Sequence, residues 1–487
     1  MSYLRGPDRS EVQLLPPCLD DYVAANAPAR FIDADVEGLD FAALGFTRAR
    51  PKDTGRPPYH PADLLKLYLC GYLHRVRSSR RLEAGAARHL EVVWLLRGVR
   101  PDFKTIADLR RDNRAAFQPL FKDFNLLCRS MDLFGAELVA IDGSKFKASN
   151  HTRRHDTQEQ WRELPGKVEA RIDEYLSELD RQDAEAGGVP AAPGSLSPGA
   201  LAEKIALLRE RKGRSDGLLG ELAQSGENEI SLSDADSRKM KGAHGEHFIG
   251  YNVPVAVDAR HDLIVSEEVV QAANDRGQLG ALAVAAREEL GVEKLQAVAD
   301  KGCHESDQLE ACETAGVETF VPEPGGTGGR GPGGREVFSK EQFRYDAPAD
   351  ACHCPGAAVL PRASLNQSHG KERLLYDHRE ACREGALRSP CTTGRWRVLA
   401  RRVNEEVVER AAARVAARPE LVAGRKEIVE HVFGTLRVWG HDHFLMRGLA
   451  KVRAEFSLSA LIYNLRRVLN LRSVEPLLAV LRQRAAN

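Results

Sequence analysis

The order of strand-like and helix-like segments between residues 137 and 324 constrains the fold more strongly than any other feature of this sequence. Three segments rich in β-branched and apolar residues come first, and two helical patterns that alternate with two further strands follow them. The segments are, in chain order, ELVAID, FIGYNVPVAVD, HDLIVSEEVV, GQLGALAVAAREELG, LQAVAD, SDQLEACETAG and ETFVPEP. This order predicts an α/β domain built on a mixed sheet.

The same order is expected of a ribonuclease-H-like core with helices flanking the mixed sheet. We predict an N-terminal helical domain over residues 1–135, followed by the first part of the core over 136–324. A helical hairpin interrupts this part at about 155–230, where the composition changes to Glu, Arg, Lys, Ala and Leu. A Gly-rich linker and a cysteine-bearing insertion occupy 325–400, and helices over 401–487 complete the core.

Charge is balanced over the whole chain but not along it. Lys+Arg and Asp+Glu both number 70, so net charge indicates no partner. Residues 71–130 hold 13 basic and 6 acidic side chains, and residues 395–487 hold 18 and 9. Two basic segments in a neutral protein indicate a polyanion that contacts those segments, and solvated helix faces are the alternative.

The segment between residues 60 and 130 predicts short helices joined by basic turns, with Thr105 as one N-cap. A helix-turn-helix-like DNA module fits this pattern, and a generic helical domain fits it nearly as well. No stretch reaches the roughly 18 apolar residues of a membrane span, and the N-terminus lacks the apolar core of a signal peptide. The nine cysteines are an odd number, so we expect no disulfide scaffold and a cytoplasmic protein.

Three acidic residues carry the predicted chemistry. Asp142 ends the first predicted core strand and Asp300 ends a later one, so both are expected at one edge of the sheet. Glu430 lies in the helical segment RKEIVEHVFGTLRVWG, where helical spacing puts it on one face between Lys426 and Arg437. For Asp142 alone, an Asp-Gly turn is the alternative.

Three carboxylates at one edge of a sheet repel one another unless a cation neutralises them. Two Mg²⁺ or Mn²⁺ ions about 3.5–4 Å apart would do so, and would assist displacement at a phosphodiester. Asp275 is assigned to a surface turn, with support of this metal site as the alternative. The basic residues predicted to hold neighbouring DNA phosphates are Lys145, Lys147, Lys301, Lys426 and Arg437.

These motifs resemble those of bacterial insertion-sequence transposases of the DDE type. IDGSKFKASN is similar to the first-aspartate motif of that family, and VADKGCHE is similar to the second. VEHVFGTLR, followed by FLMRGLAKVRAEFSLSALIYNLRRVLN, is similar to its glutamate helix and tail. The likeness runs from about residue 40 to residue 472.

The resemblance implies metal-dependent DNA cleavage and strand transfer at the terminal inverted repeats of the chain's own element. Asp142, Asp300 and Glu430 would be the catalytic metal ligands. Double-stranded DNA, both element ends and target, would be the partner, bound by a homodimer or larger assembly. The protein would then be associated with the nucleoid in a bacterial cytoplasm.

The glutamate helix departs from the family pattern. Many relatives carry tyrosine and arginine seven and four residues before the glutamate, and lysine seven residues after it. Ala423, Lys426 and Arg437 stand at those places here. Basic character is kept at two of the three positions, so the metal ligands transfer more securely than the contacts to DNA ends.

The cysteine segment also departs from the family, whose relatives often show a zinc-like pattern of cysteines. Gly385 stands where the inner cysteine of the second cluster is expected, and Cys352, His353 or His378 could replace it as the fourth ligand. A decayed site or ordinary reduced cysteines are the alternative. The candidate zinc ligands are Cys352, Cys354, Cys382 and Cys391. The predicted packing cysteines are Cys18, Cys70, Cys128, Cys303 and Cys312.

Two rival functions stay open at the level of sequence. A metal-dependent nuclease would use the same acids and cleave DNA without strand transfer. A domesticated copy would bind DNA as a regulator without catalysis. All three acids are present, which favours catalysis over the regulator.

Overall fold

The computed structural model describes most of the chain. The described residues are 18–51, 57–149, 155–157, 166–177, 198–225, 229–231, 234–242, 245–324, 337–368 and 371–486. Apolar side chains from the N-terminal helices, the main sheet and the C-terminal helices form one continuous core.

Six helices form the N-terminal region, and local chemistry fixes where they begin. Pro61 lies in the first turn of its helix, and His60 before it accepts a hydrogen bond from the Ala62 N–H. Asp102, not Thr105, is the N-cap of the fifth helix, because its carboxylate accepts the Thr105 N–H. The helices are α1 (Pro28–Glu37), α2 (Pro61–Leu73), α3 (Ser79–Arg88), α4 (Leu90–Leu95), α5 (Phe103–Asp112) and α6 (Phe117–Ser130).

The main sheet contains the five strands that the sequence predicts and one that it does not, β4. Its strands are β1 (Leu138–Lys147), β4 (Arg238–Lys241), β5 (His247–Asp258), β6 (Ile264–Glu267), β7 (Leu295–Ala299) and β8 (Val317–Phe320). They lie in the order β4-β5-β1-β7-β8, and β6 also pairs with β5. Strand β1 is antiparallel to β5 and parallel to β7, which is parallel to β8. The crossover helices are α9 (Leu279–Leu290) and α10 (Ser306–Thr314).

Strand β1 continues beyond the point where the sequence predicts its end. It pairs with β5 as far as Lys147, so Asp142 and Gly143 do not form a turn. The parallel pairing with β7 stops earlier, at Ile141 opposite Ala299. Asp142 is therefore the first residue of β1 beyond its pairing with β7.

The predicted helical hairpin is present in the described residues. Helix α7 (166–177) and helix α8 (Pro198–Ser225) bury Val168, Ile172 and Ile205 against one another. Two short strands, β2 (His155–Thr157) and β3 (Glu229–Ser231), pair antiparallel beside it. The predicted loop between the helices, 187–199, lies outside the described residues apart from its last two.

The cysteine-bearing insertion forms a second, antiparallel sheet in the order β13-β12-β11-β10-β9, which the sequence does not predict. Phe343, Leu360, Tyr376 and Leu399 form a small core of its own. The elements are β9 (Arg344–Asp346), β10 (Ala351–His353), β11 (Val359–Ser368), β12 (Lys371–Asp377), α11 (Arg379–Glu384), α12 (Arg388–Cys391) and β13 (Val398–Arg402).

Four helices close the described chain, and three of them contact the main sheet, α13 (Glu405–Ala417) through β8. Helix α14 crosses β1 and β7, and α15 packs on α6 and β6 with most of its side chains buried. The helices are α13 (Glu405–Ala417), α14 (Pro419–Val438), α15 (Leu449–Leu471) and α16 (Val474–Ala486). Among the described residues, no helix combines the length and the apolar composition that crossing a bilayer requires.

Candidate active site

Asp142 and Asp300 meet at the point where β1 and β7 stop pairing. Ile141 is the register partner of Ala299, and each aspartate follows its partner residue directly. Because the two strands are parallel, both carboxylates leave the sheet at the same edge. The predicted proximity of these two acids therefore has its basis in the strand register.

An arginine that the sequence analysis did not single out lies between the two aspartates. The Arg425 Nη1 atom donates to Asp142 Oδ2 at 2.6 Å, and Nη2 lies 3.9 Å from Asp300 Oδ1. Arg425 is buried in α14, on a stripe that also contains Val429, Val432 and other apolar residues. A lone arginine on an apolar stripe was the sequence signal for this contact.

The two aspartates differ in how far they are removed from solvent. The Asp142 side chain is 27% exposed and that of Asp300 is 52% exposed. Burial raises the pKa of Asp142, and the Arg425 guanidinium opposes this shift. The second Asp142 oxygen, Oδ1, accepts the Gly143 N–H at 2.8 Å.

A third aspartate, Asp275, lies in a bend before α9, and its side chain reaches this cluster, in agreement with the alternative that it supports the site. Its carboxylate accepts hydrogen bonds from Lys145 Nζ at 3.0 Å and from Asn252 Nδ2 at 2.7 Å. A Cβ atom at position 143 would lie 2.1 Å from Asp275 Oδ1, so any other residue there would displace the Asp275 carboxylate. The close approach of the loop to Gly143 could not be read from the local sequence.

The buried thiol of Cys303 lies close enough to the three aspartates for their charges to affect its pKa. Burial, with smaller contributions from the charges of Asp275, Asp142 and Asp300, raises the pKa of Cys303 to about 12. Cys303 is 2% exposed, in agreement with its prediction as a packing residue. A neutral thiol thus lies beside three carboxylates.

Helix α14 presents Glu430 to solvent beside the sheet. Phe433 contacts Phe146 edge to face at 6.3 Å between ring centroids, and Arg437 Nη2 donates to Ser144 Oγ at 2.7 Å. Glu430 lies about one turn before Phe433 and two turns before Arg437, on the same side of the helix. Asp142, Asp300 and Glu430, all of them described, do not bring three carboxylate oxygens within 4.8 Å of one another.

The predicted DNA-contacting residues fall into two groups. Lys145 is partly buried and paired with Asp275, so its ammonium is directed at the site rather than at solvent. The other four are exposed at the surface, and Arg437 contacts Ser144 as well. The exposed residues are Lys147, Lys301, Lys426 and Arg437.

Three of the four candidate zinc ligands surround one pocket. Cys354, Cys382 and Cys391 line it together with Gly385, which stands at the position of the missing cysteine. Cys352 is buried instead in the core of the second sheet. No three sulfur or imidazole donors of this segment's described residues lie within 4.8 Å of one another.

The remaining histidine candidates are engaged elsewhere. His353 Nε2 lies 3.5 Å from Asp346 Oδ2, and His378 Nδ1 accepts the Ala381 N–H at the start of α11. The prediction that the five other cysteines are packing residues is wrong for Cys18, which is exposed.

The fold and this cluster define an α/β protein with acidic residues gathered at one edge of a mixed sheet. Two family models match the chain: a transposase domain of the DUF772 type over residues 17–112, and a transposase DDE domain over residues 353–469. The first covers α1 to α5, and the second covers the cysteine segment, α14 and most of α15. No curated protein and no solved structure matches the chain.

The two matches support an insertion-sequence transposase of the DDE type. The two matched regions agree with the family that the sequence motifs resemble. The second match includes Glu430, whereas Asp142 and Asp300 lie between the two matched regions.

Proposed function

We propose that this transposase cleaves DNA at the terminal inverted repeats of its own element and joins the freed ends to target DNA. Asp142, Asp300 and Glu430 would be its catalytic metal ligands. The observation that carries the proposal is the meeting of Asp142 and Asp300 at the end of the β1–β7 pairing, with Glu430 on the helix that crosses these strands.

The topology of the main sheet supports a ribonuclease-H-like catalytic domain. Strands β1, β5 and β6 are consecutive antiparallel neighbours, and β7 and β8 extend the sheet on the other side of β1 in parallel. The resulting order, third-second-first-fourth-fifth, agrees with the chain order of strands that predicts this fold. The helical hairpin and the second sheet are then insertions between its elements.

The residues at this edge fit a hard divalent cation. Carboxylate oxygens are the donors that Mg²⁺ and Mn²⁺ prefer, and Arg425 now supplies the positive charge that balances Asp142 and Asp300. When bound, the metal would stabilise the attacking and leaving oxygens of a phosphodiester displacement. Asp275 would hold Lys145 and Asn252 beside the site, and so fix the backbone at Gly143.

The exposed basic residues around the carboxylates would position the DNA backbone. Lys147, Lys301, Lys426 and Arg437 lie near the predicted ligands in the sequence or on the same helix face, and each can contact a phosphate. Removal of any one of these basic side chains would weaken the salt dependence of DNA binding. Lys145 would act through Asp275 rather than on phosphate.

Cleavage of a DNA fragment that carries the element's own ends tests this proposal. Wild type, Asp300→Ala and Glu430→Ala would be compared in Mg²⁺ and in Mn²⁺, with Glu427→Ala as the control. Glu427 is also an exposed acid of α14, but it lies three residues before Glu430 and is not a predicted metal ligand. We expect end cleavage by wild type and the control alone.

The products separate the proposal from its rivals. Joined element and target strands establish strand transfer, and cleaved ends without joining indicate a nuclease. DNA binding without cleavage, in either metal and in all four proteins, would indicate a regulator and contradict the proposal.

We keep zinc in the cysteine segment as a separate proposal. Cys354, Cys382 and Cys391 could supply three thiolates to Zn²⁺, with a fourth ligand from solvent because Gly385 offers none. Metal analysis of wild type and Cys382→Ser tests it. One equivalent of zinc lost in the variant is expected, and equal zinc in both would refute it.

A further inference from the structure

A second group of metal-ligating side chains lies in the N-terminal helices, away from the carboxylates of the main sheet. Cys70, His74 and Glu91 each place a donor atom within 4.8 Å of the other two. Within the described part of the chain, no other three His, Cys, Asp or Glu side chains do so. His74 Nε2 lies 3.5 Å from Glu91 Oε2.

The helices bring these residues together in a simple way. Cys70 and His74 are four residues apart at the end of α2, so they share one face, and Glu91 lies in the first turn of α4. Bonds of about 2.0–2.3 Å to a tetrahedral zinc ion place its donor atoms about 3.3–3.8 Å apart. The separation of His74 from Glu91 already falls in that range.

His89 lies beside this group, but its ring would have to move closer to supply a fourth donor, since no other three donors lie within 4.8 Å among the described residues. Its ring packs against the ring of His74, with centroids 4.7 Å apart. Its Nδ1 atom is buried and has no hydrogen-bond partner. A buried polar atom without a partner normally costs stability, so a ligand at this nitrogen would remove that cost.

We propose that Cys70, His74 and Glu91 bind one zinc-type transition-metal ion, and that His89 becomes its fourth ligand by moving closer to it. Thiolate and imidazole donors favour Zn²⁺ or Co²⁺ over Mg²⁺ and Mn²⁺, so this site is chemically distinct from the proposed catalytic one. Cys70 is 1% exposed, while the side chains of His74 and Glu91 are 49% and 27% exposed. The ion would therefore enter from the side of the histidine and the carboxylate. Binding of the cation displaces the thiol proton of Cys70 to solvent, because the thiolate is the ligand.

The ion would fasten the turn between α2 and α3 to α4. Arg77 lies three residues after His74 and pairs with the buried Glu455 of α15, at 2.5 Å from Arg77 Nη2 to Glu455 Oε1. The site would thus fix the segment through which the N-terminal helices are attached to the C-terminal ones. Its role would be structural, not catalytic.

Titration of the full-length, metal-free protein with Co²⁺ tests the site, read by thiolate charge-transfer absorption and by bound metal per chain. Cys70→Ser, His74→Gln and Glu91→Gln should each weaken this binding by at least about 100-fold, since loss of an outer-shell partner alone costs 10–100-fold. His89→Gln should weaken it less. Added metal should raise the melting temperature of wild type but not of His74→Gln.

Two controls match the substituted residues. His443 lies 3.4 Å from Asp442 and is half exposed, like His74, but has no cysteine in a metal-binding group with it. Cys128 is a fully buried thiol on α6. His443→Gln and Cys128→Ser should bind Co²⁺ like wild type.

The same titration separates this site from the proposed one at Cys382. If His74→Gln and Cys382→Ser each lose one equivalent of bound Co²⁺, and the two losses add when the substitutions are combined, the protein has two sites. The side chains of His74 and Glu91 are exposed enough for substitution without unfolding. Unchanged Co²⁺ binding in both His74→Gln and Glu91→Gln would therefore overturn the proposal.

Discussion

Two arginine–carboxylate pairs in this protein have nearly the same length but very different surroundings. Arg77 and Glu455 are both buried, at 2.5 Å, and the Glu455 oxygens also accept the N–H groups of Leu445 and Met446. The Arg77 Nη atoms also donate to two backbone carbonyls in the segment after α14. This pair is closed, because the protein itself surrounds the carboxylate with donors.

The pair of Arg425 and Asp142, at 2.6 Å, is open. Asp142 receives one backbone N–H besides the arginine, and its neighbour Asp300 is half exposed. A closed pair stabilises the fold, because removing either partner leaves a buried charge uncompensated. In an open pair, carboxylate oxygens stay accessible to solvent. The proposed catalytic site needs this access, because a metal ion and a phosphate would enter and leave it.

The largest expected effect is loss of catalysis at the open pair. Asp142→Asn should lower end cleavage by at least about 1000-fold, a rise of about 4 kcal/mol in the barrier, because a charged ligand is removed. Single-turnover cleavage in Mg²⁺ measures it, with circular dichroism to confirm the fold. Cleavage within tenfold of wild type would mean that Asp142 is not a metal ligand.

The next largest effect is loss of stability at the closed pair. Glu455→Gln should lower the free energy of unfolding by about 3–5 kcal/mol, because Arg77 would stay buried without its counter-charge. Urea unfolding measures it. Asp142→Asn should cost clearly less, since Asp300 remains near Arg425; equal losses would erase the distinction between the two pairs.

A smaller effect on cleavage is expected at Asp275, which lies beside the open pair of Arg425 and Asp142 but is not a member of it. Asp275→Asn should slow cleavage by about 10–100-fold, as loss of an outer-shell partner does, because Lys145 loses its counter-charge. Asp262→Asn is the control, since Asp262 also pairs with a basic residue, Arg467 at 2.8 Å. If both variants cleave alike, Asp275 has no role in the site.

The smallest expected effect is on the pH dependence of stability. It concerns Glu267, a buried carboxyl that is paired with a hydroxyl group and not with an arginine. Burial raises the pKa of Glu267 from 4.5 to about 7, although Ser457 Oγ donates to it at 2.6 Å. Between these values the folded state binds more protons than the unfolded state, so stability falls as pH rises from about 4.5 to about 7.

Glu267→Gln should flatten that part of the stability profile. Urea unfolding of wild type and variant near pH 5 and near pH 7, about the limits of this range, measures the slope. A residual slope is expected from Asp35, whose pKa burial also raises to about 7. A variant slope as steep as that of wild type would contradict the assignment to Glu267.

Much of the fold was predictable from the sequence, because strand and helix patterns are local. All five predicted strands of the main sheet are present, as are both helices of the inserted hairpin. The length of β1 was not predictable, since Asp142 and Gly143 read locally as a turn while pairing with β5 keeps them extended. Nor was the second sheet, whose strands lie in a segment read as a linker and a cysteine cluster.

The residues of the candidate site were likewise predictable only in part. The sequence motifs identified Asp142, Asp300 and Glu430 as a set, whose catalytic role stays a prediction. Arg425 was missed and Asp275 was only the alternative to a surface turn, because each reaches the site through contacts between segments distant in the chain. Cys70 is buried as predicted, and its grouping with Glu91 was not predictable because Glu91 belongs to a different helix.

The sequence by itself determined the family, the order of strands and helices, and the residues whose chemistry suits metal-dependent work on DNA. These features depend on residue type and on spacing within single segments. Only the tertiary structure decided which charges compensate one another: Arg425 lies at Asp142, Asp275 at Lys145, and Arg77 at Glu455. Such pairs depend on how helices cross the sheet and on where loops approach it, and the packing of the whole core sets both.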